Sequence, residues 1–464
     1  MQQEVGVSEL SPPAQDVPPQ ADVGSPEDAG QEVRRRSPVA RFFGVLGPGL
    51  VSGAADDDPS GIATYAQAGA TFRYGMLWTS LLTLPLMTAT QEICDRMAQA
   101  TGDSFGKLIR RKFPRSLRLV IGILLAALIV ANVVNLAADL MAIGAGMALL
   151  HAGPAPLWSA LAGVLIVAAL VAGSFDLIGR VFKWLCMVLL VYIAVLFVAH
   201  VNWADVLRGL VGTGIRFSAD YLGLTVAVLG TTISPYMFFW QTAQRVEQLR
   251  AEDLGGDKAP ALSDRTPGAA RRTLRNGRLD VIVGMAFSNL IMFAIIAASG
   301  ATLGKQGTQV QTAADAAKAL APIAGSYSTI LFAVGFIGSA VLAIPVLAAS
   351  GAAGMAGLAN EEWGLDRSPR KAPLFYLLLV AGVLAGTAMS LFSSNPIGLL
   401  VLSAILNGIA AGPFLVVMML IARDRRIMRQ YVNGRLAATL GWTTTVVMCV
   451  AGAYGIWYTL AGGG

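Results

Sequence analysis

Charge is scarce in this 464-residue chain: Asp, Glu, Lys and Arg make up 13% of it, against 55% hydrophobic residues. A soluble protein carries about a quarter charged residues, so a water-soluble globular chain is excluded. Histidine is scarcer still, with His151 and His200 alone, both near expected helix ends. That scarcity weighs against a His-rich metal site and against His-based catalysis. The three cysteines, Cys94, Cys186 and Cys449, lie far apart in or near apolar runs. They have neither metal-binding nor redox spacing and read as small apolar residues in helices. No Ser/His, paired-Asp or His-Glu-x-x-His constellation of suitable spacing occurs, so the chain is not read as an enzyme. No cofactor is expected.

Long apolar runs are what the chain has. They are continuous over about 20 residues, which indicates membrane helices; a barrel would show alternating segments of about 10 residues. Eleven spans are expected, at 43–71, 74–97, 117–149, 156–174, 180–200, 219–245, 279–300, 326–350, 372–391, 396–421 and 437–460. Residues 1–41 hold Pro, Glu and Asp without an apolar run and read as a disordered cytoplasmic tail. They lack the basic start and apolar core of a signal peptide. With that tail inside, about 29 of the 34 Lys and Arg fall on the cytoplasmic side, which satisfies the positive-inside rule. An odd number of spans then places the C-terminus outside, in a multi-pass protein of the plasma membrane. A net charge of +6 needs no nucleic-acid partner, since basic cytoplasmic loops account for it. The stretch 246–278 reads as a solvated linker, and a monomer is the expected state.

Two spans are interrupted. The first reads "GPGLVSGAADDDPSGIATYAQAGA", placing Asp56, Asp57 and Asp58 before Pro59. A charge at mid-membrane costs at least about 2.5–3.5 kcal/mol, so three adjacent acids cannot simply face lipid. Proline lacks an N–H and disfavours helical geometry in the residue before it. The stretch therefore reads as an unwound break, loosened further by Ser60 and Gly61. The sixth span, "LTVAVLGTTISPYMFFWQTAQ", is interrupted in the same way at Gly230, Thr231, Thr232, Ser234 and Pro235. Breaks in the first and sixth spans are the pattern of an inverted five-plus-five repeat. The halves would be about 42–200 and 219–421, with an extra helix at 437–460, in one domain over 42–460. Non-helical backbone at membrane depth lines protein or a water-filled cavity, and paired breaks point to a transporter's substrate site. Carboxylates and freed carbonyls offer oxygen ligands, which suit a hard cation. Neither break carries Arg or Lys to receive an anion.

At these two helices the chain resembles the Nramp divalent-metal transporters. Their first-helix motif is Asp-Pro-Gly-Asn followed by a "QAGA"-like stretch, and their sixth-helix motif is Ala-x-x-Met-Pro-His. The resemblance implies an all-α, LeuT-like five-plus-five fold over roughly residues 42–460. It is specific at the two broken helices and weak elsewhere. Aligned on Pro59, Asp58 falls on the family's metal-binding aspartate and Gly61 on its ligand asparagine. Aligned on Pro235, Ser234 stands for the metal-binding methionine and Thr231 for the alanine whose carbonyl can bind metal. Tyr236 stands for the histidine linked to proton transfer. This set is similar to the Nramp-related magnesium transporters, a branch that lacks the asparagine and methionine.

The substitutions have physical meaning. A thioether is soft and favours transition metals, whereas serine offers hard oxygen and less bulk. Glycine removes a ligand. A wider, oxygen-lined pocket around Asp58 suits magnesium, which keeps several waters and uses one or two carboxylates. Manganese also accepts such oxygens. Two charges moving down 100 mV release about 4.6 kcal/mol, enough without a coupled proton for roughly a thousandfold concentration ratio. The expected function is thus a secondary transporter or facilitator of magnesium, with manganese also carried. Its rivals are a proton-coupled manganese or iron symporter of the ordinary Nramp kind and a sodium-coupled amino-acid transporter.

Other residues keep two readings. Asp57 either holds the ion through water, hydrogen-bonds the break or faces the vestibule; Asp56 reads as part of the aqueous approach, with a direct ligand role as its alternative. Ser60 and Thr232 either line the cavity or satisfy backbone groups. Asn132, Asn135 and Asp139 share one face of the third span. Asp139 is either in the transport pathway, as the resemblance implies for acids on this helix, or glue between helices. Asn407 is either a pocket residue or part of a Gly-Pro bend. Gln241, Gln244 and Glu247 read as an inner vestibule, and Glu92 and Asp95 as interfacial.

Overall fold

A computed structural model describes residues 48–172, 189–198, 201–306, 310, 315, 328–393 and 395–460, and among them every regular element is helical. The first apolar run forms α1 (Pro48–Asp56) and α2 (Pro59–Phe72). After these come α3 (Trp78–Thr101), the short α4 (Phe105–Lys112) and α5 (Arg115–Leu149). Next are α6 (Ala155–Ala172), α7 (Leu190–Val198) and α8 (Trp203–Leu210). The sixth run divides into α9 (Ala219–Thr232) and α10 (Pro235–Arg250). The remaining long helices are α11 (Pro267–Ala301), α12 (Ser328–Ala359), α13 (Pro373–Phe392), α14 (Pro396–Ala422) and α15 (Arg435–Leu460).

Eight helical stretches among the described residues are long and apolar enough to cross a membrane. Two of the three expected spans outside that set have a physical reason to be. One is α1–α2, cut by its acids; another is α3, which carries Glu92, Asp95 and Arg96. The third is the fifth span, of which only 189–198 is described. Large apolar side chains point outward along α5 and α6, with Leu119 67% and Ile123 61% exposed. The polar side chains Asp58, Asn135, Asp139, Ser234 and Asn407 are buried. Apolar outside and polar inside is the arrangement a bilayer demands.

Each break is narrower than expected. Asp57 and Asp58 alone leave the helix in the first, and Ile233 and Ser234 alone in the second. Asp58 (φ −68°, ψ 171°) and Ser234 (φ −77°, ψ 133°) are extended, as a residue before proline must be. Pro59 and Pro235 then open the next helix, where a missing N–H costs nothing. Ser60 and Gly61 lie in the first turn of α2, and Gly230, Thr231 and Thr232 close α9, so all five are helical.

Close backbone approach positions both broken helices. A Cβ on Gly53 would overlap the backbone of Gly284, so α1 lies directly on α11. A Cβ on Gly230 would overlap Ala404 and Gly408, so α9 lies directly on α14.

Two further expectations change. The linker at 246–278 shrinks to 251–266, because α10 continues to Arg250 and α11 begins at Pro267. Leu262 within it is buried, and Arg265 pairs with Glu252. Glu92 and Asp95 are buried and ion-paired, rather than interfacial: Glu92 meets Arg96 and Arg278, and Asp95 meets Arg245. The tail at 1–41, His200 and Cys186 lie outside the described residues.

Candidate metal site

The two breaks meet. Ser60 Oγ on α2 lies 3.4 Å from Thr231 Oγ1 on α9. Gly61 faces the same threonine: a Cβ there would stand 3.2 Å from Thr231 Oγ1 and 3.3 Å from the Tyr65 ring. A side chain at 61 would therefore fill the space between the half-helices.

Asp58 caps α2. Its Oδ1 accepts from Ser60 Oγ at 2.5 Å and from the Gly61 N–H at 2.8 Å. Its Oδ2 accepts from Asn135 Nδ2 on α5 at 3.0 Å. Asn135 Oδ1 in turn accepts from Ser403 Oγ on α14 at 2.8 Å. The carboxylate is 1% exposed and its donors are all neutral. The positive end of the α2 dipole adds further support for the negative charge.

Ser234 works in the opposite direction. Its hydroxyl turns back to the carbonyls of Gly230 (2.8 Å) and Thr231 (2.9 Å), the unpaired acceptors that end α9. With its hydrogen committed there, the oxygen keeps lone pairs for a cation. Thr232 Oγ1 donates to the Val228 carbonyl at 2.9 Å, which gives it the backbone-satisfying role. Tyr236 is buried and its hydroxyl has no hydrogen-bond partner.

The remaining acids surround this point. Asp56 is buried at 1% exposure, outside any aqueous approach, and accepts from Ser288 Oγ on α11 at 3.3 Å. Asp57 does not hydrogen-bond the break: both its oxygens are buried without a partner. Asp139 is also buried with both oxygens unpartnered, so it does not glue helices together by hydrogen bonding. It lies on α5 one turn beyond Asn135, the residue that holds Asp58. Asn407 Oδ1 is buried and partnerless, whereas Asn132 ties α5 to α12 through the Leu347 carbonyl at 3.2 Å. Among the described residues no group of three or more His, Cys, Asp and Glu is placed to hold a metal. An ion here would draw its other ligands from hydroxyl, carbonyl and water oxygens.

Gln241 lies in a separate network. It accepts from Ser52 Oγ at 2.5 Å and donates to Asp95 Oδ1 at 3.2 Å. Arg245 bridges Asp95 and Asp280, and Asp280 also accepts from the Gly49 N–H at 2.8 Å. Glu247 is buried and accepts from the Leu365 N–H. Gln241, expected in an open vestibule, thus belongs to a network that fastens α1, α3, α10 and α11 together, whereas Glu247 ties α10 to the segment after α12.

Asn135, Ser288 and Ser403 were not expected at the site. Spacing placed Asn135 on a shared face of α5 but gave no partner. A single serine in an apolar helix carries no sequence signal of its own.

Residues 49–458 match the family model described as natural resistance-associated macrophage protein-like. A divalent metal cation transporter MntH of Deinococcus radiodurans is 25% identical over 437 residues, covering 91% of this chain and 92% of its own. One from Chromohalobacter salexigens is 26% identical over 443 residues, covering 92% and 94%. In fold, the chain is similar to the manganese transporter of Eremococcus coleocola, with TM-score 0.67 and 17% identity over 89% of this chain and 85% of that one. It is also similar to Mhp1, a nucleobase-cation-symport transporter, with TM-score 0.51 and 13% identity over 88% and 92%.

Proposed function

The chain belongs to the natural resistance-associated macrophage protein-like family, and from that premise we propose that it carries divalent cations across the membrane by alternating access, magnesium foremost and manganese with it. It is a membrane transporter and not an enzyme. The observation that carries the ion preference is the oxygen-only donor set where the two breaks meet. Asp58 supplies the carboxylate. Ser234 supplies a hydroxyl whose hydrogen is turned away, beside the Thr231 carbonyl. Gly61 leaves space for water, because its missing side chain would fill the gap to Thr231. Asp57 adds negative potential from the next position. A pocket of hard oxygen with room for water suits an ion that sheds its hydration reluctantly.

Asp58 holds three neutral donors when no ion is bound. A cation arriving from one side displaces some of them. Its release on the other side restores them. No proton is needed for that exchange, and Asn135, which touches Asp58, does not titrate. The membrane potential supplies the driving force. The basic residues of the loops support an N-terminus in the cytoplasm and a C-terminus outside.

The test is flux into proteoliposomes under an inside-negative potential, read with internal magnesium and pH dyes. Saturable magnesium entry without acidification supports the reading. Manganese-only entry with acidification would replace it with proton-coupled manganese symport, the reading that the names of the relatives favour.

A further inference from the structure

Gly61 and Tyr65 stand four residues apart in α2 and so share one face of it. A helical side chain leans back over the turn before it, which lays Tyr65 over Gly61. The packing agrees: a Cβ at 61 would stand 3.3 Å from Tyr65 Cε2 and 3.5 Å from Cζ. Those atoms form the hydroxyl-bearing end of the ring. Tyr65 is wholly buried, and its hydroxyl has no hydrogen-bond partner. Burying a hydroxyl unpaired is costly, and phenylalanine would fill the same volume without that cost. Packing therefore accounts for the ring and leaves the hydroxyl without a purpose.

Thr231 Oγ1 lies on the other side of Gly61, 3.2 Å from the same Cβ position. Ser60 gives its hydrogen to Asp58 Oδ1, so in the 3.4 Å contact between Ser60 and Thr231 the threonine donates. Its oxygen keeps lone pairs. Two hydroxyl oxygens, one from each broken helix, thus flank the place that a side chain at 61 would take. The carboxylate is next to it, since Asp58 Oδ1 accepts from the Gly61 N–H at 2.8 Å.

We propose that Tyr65 determines specificity at this site: with Thr231 it holds a water of the ion's own hydration shell where Gly61 lacks a side chain. This inference rests on the reading of Asp58 as the residue that holds a divalent cation. A cation-bound water turns its oxygen to the ion and needs acceptors for its hydrogens, which the two hydroxyl oxygens supply. The ion favoured is one that keeps its water, as magnesium does. An ion that sheds water more readily gains less from the pair.

The experiment compares Tyr65→Phe with the unaltered protein, by proteoliposome flux under an inside-negative potential and by melting of the purified protein in detergent. The variant removes one oxygen and keeps the ring. Without divalent ions it should melt no lower than the unaltered protein, because the hydroxyl lost is unpaired. Its KM for magnesium should rise about fivefold, the worth of one water-mediated hydrogen bond, with maximal flux retained. Its KM for manganese should rise less. An unchanged KM for magnesium, or an equal rise for both ions, overturns the proposal. A lower melting temperature in the absence of ions overturns it too, by assigning the hydroxyl to the fold. Absence of magnesium entry in the unaltered protein would instead sink the magnesium reading of the Asp58 site, and this inference with it.

Discussion

Asn135 holds Asp58 from the neighbouring helix, donating Nδ2–H to Oδ2 at 3.0 Å while its own carbonyl oxygen accepts from Ser403. The amide is thereby fixed in orientation, and it orients the carboxylate before an ion arrives. A hydrogen bond to a charged group is worth about 1.5–3 kcal/mol, and 1.4 kcal/mol is tenfold in affinity. Asn135→Ala is therefore expected to raise the apparent KM for magnesium and manganese about tenfold in proteoliposome flux. Ser403→Ala, which only frees the amide to turn, should raise it less. An unchanged KM in Asn135→Ala would show that Asp58 needs no such support.

Asp58 itself joins the break, α2 and α5. Asp58→Ala is expected to lower divalent-ion flux by about a hundredfold or more, the factor that about 2.7 kcal/mol gives. Asp58→Asn keeps the shape and the cap and should lose flux to a similar extent, because the charge is what holds the ion. Flux near normal in Asp58→Asn, at normal expression, would remove this residue from the site.

The replacement at position 234 tests selectivity. Ser234→Met puts a soft thioether where a hard hydroxyl stands, and it releases the carbonyls of Gly230 and Thr231. Magnesium flux should fall, and the manganese-to-magnesium ratio should rise about tenfold, measured in parallel flux assays. Gly61→Asn should act in the same direction at some loss of stability, since even its Cβ is tight against Thr231 and Tyr65. Equal loss of both ions in the two variants would mean that neither position controls selectivity.

Both breaks were legible because proline and charge are incompatible with an uninterrupted membrane helix. Their width was not. Ser60 and Gly61 suggested loosening, yet behind an Asp cap and a Pro at the first position they make a good first turn. Asp56 and Asp57 were visible as acids, but their depth depends on how α1 lies against α11, a packing relation set by Gly53 and Gly284. Asn135 showed only through its spacing. Ser288 and Ser403 are individually ordinary in an apolar helix, and tertiary contact alone gives them a role. The α3 acids misled for a related reason: Glu92 and Asp95 sit where an interface would be expected, and their partners Arg278, Arg245 and Asp280 come from distant parts of the chain.

Arg245 allows the sharpest stability test. It is 8% exposed at its side chain, between Asp95 and Asp280, both 2% exposed. Gln99 donates to Asp95 at 2.5 Å and the Gly49 N–H donates to Asp280 at 2.8 Å, so the group is well satisfied. Removing one member of a buried charge group leaves the rest uncompensated, at about 3–5 kcal/mol. Replacing the whole group by neutral residues is far milder. Arg245→Ala should therefore lower the melting temperature in detergent markedly. The triple variant Arg245→Met, Asp95→Asn, Asp280→Asn should recover most of that loss. Because Asp280 also holds the start of α1, the triple variant retains an acceptor for Gly49 in its amide oxygen. If the single and triple variants melt together, the ion pairs are not what secures α1 to α3, α10 and α11, and packing at Gly49 and Gly53 must do so instead.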